Sequence, residues 1–334
     1  MSSDLRVGVA GATGALGKEI LSVLDQAPWR PERVVPLASP STNIPFVEYG
    51  DRQVAVDDLE FQALDELDAL IIAIPPKFAV PLAEAAAEVG VLTVDCSGAS
   101  ASEEVPLIVP WINPEAIAEA PPKGVVATPG PAALLLASAL GVLGRAGLLG
   151  QVTANVMLPA SAWGRDGIEE LSRQVISLFN SNPPPRKIFP QGLAFDLIPE
   201  VGGESDDGWS EAEKRVVSEL NRLLPLEVSV LASLVGVPVF SGISASVNVA
   251  TARNVPMDLV ERVLQDGGVK FSTSRSQVPR PRLVEGQPFV FAGRLRANTV
   301  TSGFTMWLAM DNLRACAAVA VGCCGAIART TGDI

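Results

Sequence analysis

The sequence predicts an α/β protein in two parts, a Rossmann-type dinucleotide-binding domain followed by an α+β domain built on a mixed sheet. Three observations carry this expectation. A β-like run from Leu5 to Ala10 meets a glycine turn, Gly11-Ala-Thr-Gly14-Ala-Leu-Gly17, that opens a helix; strands and helices then alternate, the pattern of βαβ units on a parallel sheet. After Pro129-Gly130-Pro131 the alternation gives way to strand-like runs with few helices between them. The chain has 334 residues, beyond the roughly 250 to 300 at which a single hydrophobic core stops growing.

Taken in order, Leu16, Ile20, Leu21 and Leu24 fall on one face of the first helix. Strands are expected at Val34–Ala38, Ala69–Ile74, Leu92–Asp95 and Val125–Ala127, with a helix over Val80–Val89. An apolar helix runs from Ala132 to about Leu143. The runs Val152–Leu158, Glu227–Phe240, Ser244–Ala250, Pro288–Gly293 and Thr299–Leu308 predict a mixed or antiparallel second sheet. Asn180–Arg186 and Gly202–Gly208 read as loops, and Asn312–Ala328 as a helix of small residues that lets a neighbour approach closely.

Composition excludes whole classes of function. The 25 basic and 37 acidic side chains give a formal charge of −12, which repels nucleic acid and anionic membrane in the absence of a basic cluster. The apolar runs Ala132–Gly144 and Ala315–Ala328 fall short of the roughly 20 residues a bilayer requires, so no membrane span is expected. There is no histidine, which removes Ser-His-Asp triads, Cys-His pairs, His-ligated metals and imidazole proton shuttles. Cys96, Cys316, Cys323 and Cys324 lack paired zinc-site spacing, and with no export signal at the start the expected compartment is the reducing cytoplasm.

The glycine turn is the one feature that points to a ligand. Gly11, Gly14 and Gly17 after a strand and before a helix allow a pyrophosphate to approach backbone N–H groups at a positive helix end. A tight βα turn kept for packing is the alternative reading. No acidic residue follows to grip a ribose hydroxyl; the second strand ends Leu37-Ala-Ser39-Pro-Ser41-Thr42, whose hydroxyls suit a 2′-phosphate but lack a cation before Arg52. Weak binding of NADP or NAD is expected.

Over essentially its whole length the chain resembles the aspartate-semialdehyde dehydrogenase family. The matching stretches are Val9 to Gly17, Leu37-Ala-Ser39, Val105 to Pro110 with Asn113-Pro114, Leu193-Ala-Phe-Asp-Leu-Ile-Pro199, Val237-Pro-Val239 and Asp311-Asn-Leu-Arg314. The resemblance implies a dinucleotide-binding domain over 1–130, a dimerisation domain over 131–312 and a last helix, 313–334, that packs back on the first. It implies cofactor contacts at Gly11, Thr13, Gly14, Ala15, Leu16, Ser39, Ser41 and Asn312. Family members reduce aspartyl phosphate with NADPH through a thioester on a cysteine, chemistry that requires a thiolate, a base and cationic clamps.

Residue by residue, those groups are replaced here. Pro131 stands where the family's nucleophilic cysteine falls, Ile243 where its histidine base falls, and Gly236 where its substrate-carboxylate arginine falls. Leu158 replaces a catalytic-loop glutamine, and Trp163 a small residue in the glycine loop after it. A phosphate-binding arginine falls on Ser100 or Ala101, and a Glu-x-x-Lys pair becomes Ala212 and Arg215, retaining a cation. Pro75-Pro76 replaces a Gly-Gly that approaches the cofactor and removes two donors. This pattern resembles the family's usg-type branch, which lacks the catalytic cysteine and histidine.

Plainer roles stand beside these. Cys96 reads as a structural thiol, since Asp95 beside it raises its pKa and no histidine activates it, and the other three cysteines read as small core fillers. Arg165, Asp166, Glu169 and Glu170 read as a charged helix start. Arg215, with Lys214 and Arg314, is either a modified anion pocket or a solvated helix face. The expectation is a dimeric binding or regulatory homologue without the family reaction, as a homodimer or with an active paralogue. The competing one is an NAD(P)-dependent oxidoreductase whose proton donor would be a lysine or the lone Tyr49.

Overall fold

The computed structural model describes residues 3–119, 124–203, 205–224 and 228–331. Glu204 in an expected loop, Glu227 at the start of an expected strand and residues 332–334 of the last segment lie outside them. The chain divides into two compact units, one comprising 1–130 with 316–334 and the other 131–315.

The first unit carries β1 (Ser3–Ala10), α1 (Ala15–Gln26), β2 (Pro31–Ala38), β3 (Phe46–Tyr49), β4 (Arg52–Ala55), β5 (Asp57–Asp58), β6 (Ala69–Ile72), α2 (Pro76–Glu88), β7 (Leu92–Asp95), α3 (Glu115–Glu119) and β8 (Val125–Ala127). Its six-stranded sheet has the order β5-β2-β1-β6-β7-β8, with every pairing parallel. All four residues of β6 and of β7 are buried, as central parallel strands covered on both faces must be. Strand order reverses between β1 and β6, so the glycine turn after β1 stands at the switch point where open α/β sheets bind ligands. The hairpin β3–β4 was not anticipated; its Gly50-Asp51 turn, with Gly50 at φ +56°, is the two-residue type that matches strand twist.

The second unit carries α4 (Pro131–Arg145), β9 (Gln151–Leu158), α5 (Gly164–Phe179), α6 (Glu211–Leu223), β10 (Val230–Gly236), β11 (Ile243–Ala250), α7 (Met257–Asp266), β12 (Lys270–Ser272), α8 (Pro281–Val284), β13 (Phe291–Ala297) and β14 (Gly303–Met310). Its sheet has the order β10-β9-β11-β14-β13-β12, with parallel pairs at the two edges and antiparallel pairs between. The sheet is mixed as expected, but the helices among its strands are more numerous than the strand-rich reading allowed. α4, α6 and α7 pack on it, and β9 alternates buried Val152, Ala154 and Val156 with exposed Gln151, Thr153 and Asn155.

Two strand boundaries differ from expectation for local reasons. Thr299–Ser302 is a turn rather than strand, because the Asn298 N–H donates to Gly303 O (3.0 Å) and the Thr305 hydroxyl to Asn298 Oδ1 (2.8 Å). β10 ends at Gly236, where the backbone pairs with Ile198 in both directions, and its Leu234 N–H donates to Glu213 Oε1 (3.0 Å), so side chain and loop satisfy the sheet edge.

The last helix, α9 (Asn312–Thr331), begins in the second unit and from Cys316 on belongs to the first. Its first 18 residues are long and apolar enough to cross a membrane, a length the apolar run alone did not indicate. Within the first unit, however, a Cβ on Gly325 would collide with the Trp29 indole, and the Cys323 thiol lies 3.8 Å from Ile108 O. That close approach is the packing of a core helix.

Candidate functional site

The glycine turn is shaped by backbone contacts. Gly11 has φ +84° and a Cβ there would strike the Ala73 carbonyl, while one on Gly17 would strike the Gly11 carbonyl. The N–H groups of Gly11 and Ala12 both donate to Leu37 O (2.9 and 3.2 Å), and that of Gly14 to Gly11 O (2.9 Å). The first-turn N–H groups of Ala15 and Leu16 lie where an α-helix supplies no acceptor, and no hydrogen bond engages them among the described residues. Thr13 is buried inside the same turn. Beside it, at the end of β2, Ser39 and Ser41 place their hydroxyls 2.9 Å apart.

The other cofactor-side expectations meet different partners. α2 starts on Pro75-Pro76, so neither residue offers an N–H. Arg52 lies 6.0 Å from the Tyr49 ring and Arg30 5.2 Å from it. Tyr49 itself is buried, donates to Pro31 O (3.3 Å) and has its pKa raised by that burial, which makes it a fixture of the hairpin. Asn312 sits in the second unit with its amide engaged: Oδ1 accepts from Gly242 N–H (3.0 Å), and Nδ2 donates to the Ser161 hydroxyl (3.0 Å).

In the second unit the positions matched to family chemistry gather at one end of the sheet. Gly236 pairs with Leu158, the β9–β11 register sets Ile243 beside Leu158, and Ile243 pairs with Met310. α4 ends only six residues before β9 begins, so its start at Pro131 lies toward this same end. The row is closed and apolar: Ile243 and Met310 are 0% exposed and Leu158 6%. A Cβ on Gly236 would come within 3.2 Å of both Ile198 Cβ and Trp163 Cη2, so an indole occupies the space an arginine stem would need. Trp163 is braced by Phe189 in an edge contact of 5.1 Å within a cluster of Leu171, Leu193 and Ile198.

Glu170 holds that cluster and was misread as part of a charged helix start. It is 1% exposed and accepts from the N–H groups of Lys187, Ile188 and Phe189 (3.0, 2.9 and 2.8 Å). Burial alone raises its pKa, but these three donors outweigh it and hold the carboxyl below its usual value. Gln174 binds the same loop through Leu193, Ala194 and Pro185. A Glu and a Gln four residues apart on one helix face were the available signal; their backbone partners are not legible from residue types.

Ala212 lies in the first turn of α6 inside the capping box of Ser210 and Glu213. Arg215 binds Glu219 at 2.7 Å and Lys214 binds Asp207 at 3.1 Å, so both cations face carboxylates. Cys96 is half-buried beside fully buried Asp95, and burial followed by the Asp95 charge raises its pKa well above the usual thiol value. Cys324 is pushed up to about 12 by burial. Among the described residues no three Cys, Asp or Glu side chains form a metal-ligand group.

A parallel sheet with a glycine loop at its switch point, joined to a mixed-sheet unit, defines the class of two-part NAD-binding dehydrogenase folds. The chain belongs to the semialdehyde dehydrogenase family: residues 6–120 match its NAD binding domain and 140–315 its dimerisation domain. It is 28% identical over 319 residues to aspartate-semialdehyde dehydrogenase 2 of Vibrio cholerae, covering 94% of each chain. It is 29% identical over 327 residues to aspartate-semialdehyde dehydrogenase of Rickettsia conorii, covering 96% of each. Among solved structures it resembles the Vibrio cholerae aspartate semialdehyde dehydrogenase II complexed with ASA, with a TM-score of 0.92 at 27% identity over 97% of this chain and 98% of that one.

Proposed function

We propose that this chain is a family member without the phosphorylating semialdehyde dehydrogenase activity, of the usg-type branch, acting as a dimeric binding or regulatory protein in the cytoplasm. The closed apolar row carries this reading. A general base must reach the substrate and hold a proton, and buried Ile243 does neither. Pro131 has no thiol, Gly236 has no guanidinium, and Trp163 covers it. With no histidine in the chain, a thioester route has neither its nucleophile nor its base.

The dimerisation-domain match supports a homodimer, and Leu231, 43% exposed on the second unit, supplies apolar surface for it. A heterodimer with an active paralogue is the other arrangement of the same surface. The Ala15 and Leu16 amides, unengaged among the described residues, favour a second reading, an NAD(P)-dependent oxidoreductase acting on an aldehyde or oxo group by a non-thioester route. With Tyr49 buried in its hairpin, that route would take its proton from a lysine.

A coupled NADP+ assay with semialdehyde and phosphate, at high enzyme concentration, is expected to give no turnover above buffer; sustained turnover refutes the proposal. Calorimetric titration with NADPH is expected to give weak heat, and tight binding would favour the oxidoreductase reading. In sedimentation a stable monomer at micromolar concentration would remove the dimer.

A further inference from the structure

A cavity of about 890 Å³ opens in the second unit at the turn joining β10 to β11, next to the closed row but lined by none of its residues. Three segments wall it: the turn Pro238–Gly242, the stretch from Arg280 to Glu285, and Asp311 at the end of β14. Each is tied to another part of the unit by a hydrogen bond. The Trp307 indole N–H donates to Pro279 O (2.8 Å), Gly286 N–H to Asp311 Oδ2 (2.7 Å), and Gly242 N–H to Asn312 Oδ1 (3.0 Å). Gly242, at φ +90°, packs so closely on Pro281 that a Cβ would lie 2.7 Å from its Cα. The walls are therefore fixed before any ligand arrives, which lowers the ordering cost of binding.

Charges of both signs line this cavity. Arg280, Arg282 and Glu285 line it, and no ion pair or side-chain hydrogen bond engages any of the three among the described residues. Asp311 is different: its carboxylate already accepts from Gly286, Leu313 and Arg314 N–H groups, so it is a fixture of the wall. Arg280 precedes a four-residue helix, Arg282 stands within it and Glu285 follows it, so the cavity wall, which Val239, Phe240 and Pro281 also line, presents both signs of charge and an apolar surface. A simple anion would meet the Glu285 charge, whereas a zwitterion satisfies all three groups.

We propose that this cavity binds a free α-amino acid with an apolar side chain. Its carboxylate pairs with Arg280 and Arg282, its ammonium with Glu285, and its side chain lies on Phe240 and Val239. The site shares no residue with the glycine loop or the closed row, although Gly242 and Asp311 adjoin Ile243 and Met310 in the chain, so its failure would leave the reading of that row intact.

L-phenylalanine, titrated calorimetrically into the full chain, is the probe. Binding in the millimolar range or tighter is expected. 3-Phenylpropanoate, which lacks the ammonium, and 2-phenylethylamine, which lacks the carboxylate, are each expected to bind about tenfold or more weakly, the loss of one charge-assisted contact. Arg280→Ala and Arg282→Ala should weaken phenylalanine by a similar factor. Glu285→Gln should weaken phenylalanine but not 3-phenylpropanoate, a selectivity that a general loss of structure cannot produce. All three side chains are exposed, so the melting temperature should hold in each variant. Absence of phenylalanine binding, either analogue binding as tightly as phenylalanine, displacement of phenylalanine by inorganic phosphate at equal affinity, or variants without effect would each overturn the proposal.

Discussion

The glycine turn of the first unit and the closed row of the second are both places where a ligand site would be built, yet they differ in what builds them. The turn is made of backbone: Gly11 and Gly17 are dictated by carbonyl groups that a Cβ would strike, and the donors are amides that every residue carries. The row is made of side chains: Leu158, Gly236, Ile243 and Pro131 keep the strands and helix in place while presenting nothing that can ionise. A fold therefore secures a backbone site through its packing, whereas a side-chain site can be exchanged position by position without disturbing the sheet.

The largest effect is expected where the backbone site is packed. Gly17→Val would push a branched side chain into the Gly11 carbonyl and the Ala12 Cα, inside a turn locked by three hydrogen bonds. Overpacking of this kind typically costs about 1 to 3 kcal/mol, and a site walled by backbone belongs at the upper end. Chemical denaturation should show that loss. A variant as stable as the parent would mean the turn is loose and would erase the contrast between the two regions.

A smaller effect is expected in the row, and it should depend on a neighbour. Gly236→Arg brings a side chain to within 3.2 Å of Trp163 and Ile198 at its first carbon, so the indole must move. A loss of about 2 kcal/mol is expected, again from overpacking. Trp163→Ala should be destabilising alone, but combined with Gly236→Arg it should cost less than the sum, with a coupling of about 1 kcal/mol. Additive losses would show that Trp163 does not fill the arginine's space. Restoring chemistry by Pro131→Cys, Ile243→His and Gly236→Arg therefore needs a fourth change at Trp163.

The same contrast explains what the residues disclosed in advance. β7 and β8 were legible to the residue and β6 nearly so, because buried parallel strands are uninterrupted apolar runs, and the glycine turn was legible because its spacing states a backbone requirement. The hairpin β3–β4 was passed over although Gly50-Asp51 is a turn signal, since its short strands have only partial alternation. Glu170 looked like a helix-start acid because its partners are backbone amides 17 to 19 residues away, which residue types do not reveal. Trp163 over Gly236 could not be foreseen either: the two residues belong to different elements, and only the Ile198–Gly236 bridge and the Phe189 brace bring them together.

The smallest effect is expected at Pro131, and it is the most direct test of whether that residue is an empty seat or a structural necessity. Pro131 is the first residue of α4, where a missing N–H has no consequence and a fixed φ suits the helix. It is only partly buried, unlike Ala132 to Leu136 behind it, which make up the packed face of the helix. Pro131→Ala therefore gives up a restriction of the unfolded chain and little else, a change of about 0.4 to 1 kcal/mol. Spread over a unit of this size, that shifts the melting temperature by only about 1 to 4 °C. A drop well beyond this range would show that the proline ring supports the α4 start through packing, and the position would then be unable to accept a thiol without refolding its surroundings. A small shift would leave Pro131 as a replaceable residue on an intact scaffold, which is what a side-chain site lost by substitution requires.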